Sequence, residues 1–145
     1  MIVVSDTSPI LNLARIGRVQ FLPLLYHQVL IPSAVYGELT ASNRDPPPAI
    51  NLASEPWLIV ATPNDQKRVQ ELREDLDLGE AEAIVLAIER RADVLLVDER
   101  RGRRTAIAAG LTVTGLLGVV ARAKRAWPIT RFAVGVVGII IKCCR

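Results

Sequence analysis

Four carboxylates carry the chemistry that this sequence offers: Asp6, Glu38, Glu80 and Asp98. Asp6 follows the apolar run Ile2-Val3-Val4-Ser5 and precedes Thr7-Ser8-Pro9, while Asp98 follows Leu95-Leu96-Val97. In open α/β sheets ligands bind outside the carboxyl ends of the strands, so both aspartates fall where chemistry is done. Glu38 and Glu80 belong to helical segments that can pack at the same sheet edge. Three or four carboxylates in one place repel and cannot all stay ionised. A divalent cation resolves that conflict, and magnesium takes oxygen ligands through one or two carboxylates. Such a site can activate water and stabilise the leaving oxygen of a phosphodiester. Thr7 or Ser8 is placed to orient a water or the Asp6 carboxylate. Other chemistries find no support. His27 is the only histidine, read as a surface or packing residue, and the two cysteines, Cys143 and Cys144, are adjacent near the end of the chain. That leaves no Ser–His or Cys–His pair, no zinc spacing, and no P-loop or dinucleotide-binding glycine fingerprint.

Each acid also has an ordinary reading. Asp6 can be a turn aspartate satisfying nearby N–H groups, and Glu38 a solvent-facing helical glutamate. Asp77 and Glu80 are three apart and match a capping box, which explains Glu80 without catalysis. Glu82 points in a different helical direction from Glu80 and is the weaker candidate. What favours a site is the recurrence of acids in equivalent places along the chain.

The elements that must position them alternate. Short β-branched runs at residues 2–4, 28–31, 57–60, 92–97 and 111–114 read as strands. Helical segments fall at residues 10–14, 19–25, 32–39, 65–75, 76–87, 99–109 and 116–126. This order argues an α/β domain with a central, mostly parallel sheet flanked by helices. Ser8 suits an N-cap before Pro9, Asn64 another, and Gly17 and Gly110 suit helix ends. The run at 92–97 is continuously apolar, as expected of a strand buried on both faces. Residues 42–48, with three consecutive prolines, can be neither regular helix nor central strand. A short helix is expected at 49–53.

The chain has 145 residues, half of them hydrophobic, which suits one domain with a real core. Its net charge of +3 permits an anionic partner without demanding one. The arginines are clustered: Arg100, Arg101, Arg103 and Arg104 follow Asp98-Glu99 at a helix start, where they oppose the macrodipole. Arg101, Arg103 and Arg104 are therefore candidates for phosphate contacts. The alternative is a solvated turn in which arginines pair with Glu99 and Asp98. The longest apolar run, residues 132–141, is about half the ~20 residues that a membrane helix needs. No secretory pattern opens the chain, so a cytoplasmic protein is expected.

Taken together, Asp6-Thr7-Ser8-Pro9, Ile31-Pro32 with Glu38, Leu78-Gly79-Glu80-Ala81-Glu82-Ala83-Ile84, and Leu95-Leu96-Val97-Asp98 with Gly102-Arg103 resemble the PIN-domain superfamily. The pattern is similar to the branch labelled DUF3368, related to VapC-type toxins, over roughly residues 2–124. The resemblance implies a PIN-like, Rossmann-like three-layer domain over residues 1–128. Residues 129–145 would then be an apolar tail packed on the domain or a partner, a departure from the usual C-terminus. It implies Mg²⁺ or Mn²⁺ at the acidic cluster and endoribonuclease activity. Asp6, Glu80 and Asp98 would hold metal and Glu38 would complete the catalytic set. RNA as substrate, a cognate antitoxin as partner, a homodimer, and no membrane association follow from the same likeness. The alternatives are a non-catalytic nucleic-acid- or protein-binding module and a small-molecule phosphohydrolase.

Overall fold

The computed structural model describes residues 1–41 and 55–127. Five strands form one sheet: β1 (Val3–Ser5), β2 (Val29–Pro32), β3 (Leu58–Ala61), β4 (Val94–Leu96) and β5 (Val113–Thr114). Their order is β3-β2-β1-β4-β5, and every pair is parallel. The chain's first strand is thus the central one. The helices are α1 (Thr7–Arg15), α2 (Phe21–Tyr26), α3 (Ser33–Thr40), α4 (Gln66–Leu72), α5 (Leu78–Glu89), α6 (Arg100–Ala108) and α7 (Leu116–Ala126).

Side-chain alternation along the strands builds the three layers. Val3, Val94 and Leu96 face one way, against Ile10 and Leu13 of α1, Leu22 of α2, Val35 and Leu39 of α3, and Val119 of α7. Val4, Leu95 and Val97 face the other way, against Ile84, Leu86 and the small Ala83 and Ala87 of α5, and Ala106 of α6. With both faces covered, the inner strands are largely buried, which is why they read as unbroken apolar runs.

Local signals set most boundaries. Gly17 and Gly110 adopt φ of 68° and 82°, the left-handed backbone expected after helix ends. Two caps sit elsewhere than the sequence suggests. Asp6, extended at φ −78° and ψ 173°, is the residue before α1, so Ser8 lies within the first turn and Pro9 is its third residue. Proline is accepted there because the first turn of a helix has no intrahelical use for its N–H. Asp65 rather than Asn64 caps α4, accepting from the Arg68 N–H at 3.0 Å. Asn64 is held instead through its own N–H by Glu89 of α5, at 2.8 Å. The expected proline-rich loop and short helix at 42–53 and the apolar tail from 129 onward lie outside the described residues. Among the described residues, no helix is long and apolar enough to cross a membrane.

Candidate functional site

Asp6 stands at the carboxyl end of the central strand, only 3% exposed, with its N–H donating to the Leu96 carbonyl at 2.9 Å. Burial is the main force on its carboxyl and raises the pKa from 3.8 to about 7. The Thr7 backbone N–H opposes that rise, and the neighbouring charges of Asp77, Glu80 and Glu38 add to it. The structure therefore brings Asp6 together with acids from α3 and from the start of α5.

Glu80 satisfies both readings made from the sequence. The capping box is present: Asp77 Oδ1 accepts from the Glu80 N–H at 2.8 Å, and Glu80 Oε2 accepts from the Asp77 N–H at 3.3 Å. That uses one carboxylate oxygen. The other, Oε1, is buried and has no hydrogen-bond partner among the described residues. A Cβ on Gly102 would stand 3.0 Å from it, so glycine at the first turn of α6 keeps that space open. Burial raises the Glu80 pKa, and the charges of Asp77, Glu99 and Glu38 act in the same direction.

Glu38 reaches the site from the C-terminal half of α3. Its Oε2 accepts from the Thr7 hydroxyl at 2.5 Å. Its Oε1 lies against α5, where a Cβ on Gly79 would be 2.7 Å away.

Asp98 is placed differently. Ser5 pairs with Leu96, so Asp6 is level with Val97, and Asp98 lies one residue further along its strand. Because side chains alternate, that single residue turns Asp98 to the opposite face of the sheet from Asp6. There its Oδ1 accepts from the Leu116 N–H at the start of α7 at 2.7 Å, and its Oδ2 accepts from Asn12 Nδ2 at 3.0 Å. A Cβ on Gly115 would fall 2.6 Å from Asp98 Oδ1, so α7 can approach this closely only through glycine. The expected side-by-side aspartates are therefore not formed. Asp77, expected as a cap, and Glu99, for which pairing with arginines is one alternative, both act on Glu80. Strand parity is the signal for Glu99, since it falls on the Asp6 side of the sheet.

A family model described as DUF3368: PIN domain matches residues 2–142. The chain belongs to this PIN-domain family. No curated protein matches it. A PIN domain carries nuclease-type function in general, a hydrolase activity, and PIN domains generally use divalent metals. The match spans both ends of the acidic group and runs past α7.

Two observations test whether this PIN domain's own residues suit such an ion. Among the described residues, no three acidic, histidine or cysteine side chains are drawn tightly enough to enclose a cation. The chemistry of the donor set nonetheless fits a hard cation: it is all carboxylate oxygen, neighbouring carboxylates add to the raised pKa of Asp6 and of Glu80, and one buried oxygen has no hydrogen-bond partner among the described residues. The arginine cluster divides. Arg101 and Arg104 line a shallow cavity of about 530 Å³ with Asp75 and Thr105. Arg103 turns toward Asp98 and donates to the Val97 carbonyl at 3.1 Å, lining a separate cavity with Asn12 and Leu116. Ser8 is half-buried in the first turn of α1.

Proposed function

We propose that this PIN domain is a Mg²⁺- or Mn²⁺-dependent endoribonuclease, with Asp6, Glu38 and Glu80 as the residues that hold the ion. The observation that carries this reading is the buried, unpartnered Glu80 Oε1 beside an Asp6 whose pKa is raised to about 7. Uncompensated buried carboxylates are costly, and a divalent cation is the partner that removes the cost. When bound, such a cation supplies Lewis acidity toward a phosphodiester and eases the deprotonation of water. The chain's own residues do the rest. Thr7 fixes one oxygen of Glu38, so this carboxylate completes the set or orients the attacking water. The capping box fixes Glu80 Oε2 and leaves Oε1 facing the site. In the metal-free protein Asp6 has a pKa of about 7, so cation binding would displace its proton. Asp77 and Glu99 add negative potential around the site, and Asp98 serves as the clasp between β4, α1 and α7 rather than as a ligand. Arg101 and Arg104 are the exposed cations placed to take RNA phosphates, whereas Arg103 is tied to the Asp98 side. A cytoplasmic location, a homodimer and neutralisation by a cognate antitoxin, as in a type II toxin–antitoxin pair, complete the proposal on the family likeness alone.

The test is cleavage of a mixed RNA pool by wild type and Asp6→Asn, each with Mg²⁺, Mn²⁺ or EDTA. Metal-dependent cleavage that disappears in the variant is expected. Salt-sensitive RNA binding without cleavage would select a binding module, and turnover of a phosphomonoester but not RNA would select a phosphohydrolase.

A further inference from the structure

We propose that Glu82 is a positioning residue for the acidic site, setting the separation of Glu38 from Glu80 by capping α3 from α5. Glu82 is 6% exposed although it lies in mid-helix, on a segment otherwise lined with alanine and aliphatic residues. Its Oε2 accepts from the Ala34 N–H at 3.0 Å and from Ser33 Oγ at 3.4 Å. Those are the first two residues of α3, whose own preceding residue, Pro32, has no side-chain acceptor to offer. The first N–H groups of a helix need acceptors, and an anion is favoured there. Glu82 supplies both from another helix.

The consequence lies close by on each helix. Glu38 is four residues beyond Ala34, and Glu80 is two residues before Glu82. A second contact lies between the same helices, where Glu38 Oε1 and Val35 Cγ2 press against Gly79, at 2.7 Å and 3.4 Å from where a Cβ would be. Ala34 meets Glu82 and Glu38 meets Gly79, so the helices run antiparallel and are pinned at two points. One pin is a contact without room for a methyl group, and the other is the Glu82 cap. Releasing the cap frees α3 to slide or tilt on α5 and moves Glu38 relative to Glu80.

Stability alone would also explain a buried cap, and the fold supplies its own control. Glu89, seven residues on along α5, holds the segment that leads into α4 by a comparable contact, accepting from the Asn64 N–H at 2.8 Å and the Asp65 N–H at 2.7 Å. Helix α4 carries none of the acids of the site.

The experiment compares wild type, Glu82→Ala, Glu82→Asp, Glu82→Gln and Glu89→Ala by Mn²⁺ calorimetry, RNA-cleavage kinetics, and amide chemical shifts of the metal-free protein. Misplacing a residue that orients a ligand typically costs about 10–100-fold in metal affinity or activity. Glu82→Ala is expected to weaken Mn²⁺ binding and lower kcat within that range, with KM for RNA changing little. Glu82→Gln keeps an acceptor and is expected to recover most of both. Glu89→Ala is expected to lower Tm and leave Mn²⁺ affinity and kcat as they are. If Glu82→Ala does not fold, Glu82→Asp, with a shorter reach, carries the same expectation as Glu82→Ala. Equal Mn²⁺ affinity and kcat in the folded Glu82 variant and in Glu89→Ala would overturn the proposal. The kinetic arm rests on the nuclease reading above, whereas the amide shifts do not. Should wild type neither cleave RNA nor bind Mn²⁺, the nuclease reading falls, and the shifts still decide the role of Glu82. Changes reaching Thr7, Glu38 and Gly79 support it, and changes confined to Ser33 and Ala34 overturn it.

Discussion

The Thr7 hydroxyl donates to Glu38 Oε2 at 2.5 Å, tying the first turn of α1 to the last turns of α3 across 31 residues of sequence. Through it the strand-end segment bearing Asp6 holds another acid of the site. Thr7→Val keeps the shape and removes the donor. Because a hydrogen bond to a charged group contributes about 1.5–3 kcal/mol net, a modest fall in Tm is expected. RNA cleavage should fall by about tenfold or more, since Glu38 loses its orientation. A variant as active as wild type would show that Glu38 is oriented by something else.

Gly79→Ala should separate stability from activity in the other direction. Alanine favours a helix over glycine by up to about 1 kcal/mol. The new Cβ would meet the far end of the Glu38 side chain, which can swing aside. The expected protein is at least as stable as wild type in a thermal melt, yet binds Mn²⁺ more weakly and cleaves RNA more slowly. Unchanged metal affinity would mean that Glu38 does not take part in binding.

The raised pKa of Asp6 links stability to pH. The folded carboxyl titrates near 7 against its ordinary 3.8, so the folded state holds an extra proton between those values. Its contribution is complete below the unfolded value and is lost as pH rises through about 7. At about 1.4 kcal/mol per pH unit the loss amounts to a few kcal/mol at most. Glu80, also raised, acts with the same sign. Metal-free wild type should therefore melt at lower temperature at alkaline than at mildly acidic pH, and Asp6→Asn should flatten that slope. Added Mg²⁺ should recover more stability on the alkaline side, because protons and cation compete for the same oxygens. Parallel melting profiles for wild type and Asp6→Asn would contradict this.

Asp98→Ala addresses the clasp. The substitution removes acceptors from the Leu116 N–H and from Asn12. Loss of a carboxylate that caps a helix costs about 1–2 kcal/mol, so a clear fall in Tm is expected. Mn²⁺ affinity, measured by calorimetry on the folded variant, should suffer far less than in Asp6→Asn. Equal losses in the two variants would put Asp98 back among the ligands.

Features that depend on near neighbours could be read from the sequence, and those that depend on pairing could not. The Asp77–Glu80 capping box spans four residues, and the structure contains it. The apolar runs at 28–31 and 92–97 contain strands because alternation and burial are written into each run by itself. The orientation of Asp98 depends instead on which residue of β4 stands beside Ser5. That register comes from packing on both faces, and a shift of one residue reverses the side chain. The same gap concealed Glu99. Glu82 was set aside because its direction along α5 differs from that of Glu80, and that difference is what lets it reach α3 instead of Asp6. At Asp6 and Ser8 the error was one of competition. Both residue types can precede a helix, and the extended backbone that ends β1 at Asp6 decided between them.

The central place of β1 has a bearing on synthesis. Its two neighbours, β2 and β4, are made at very different times, since Val4 lies beside Leu30 and also beside Leu95. A growing chain can cover one edge of β1 early, but the other stays bare until the segment that bears Leu95 has been made. Asp6 gains its neighbour Glu80 only after 74 further residues have been joined. The acidic group thus cannot assemble on a nascent chain until the segment that bears Glu80 has been made.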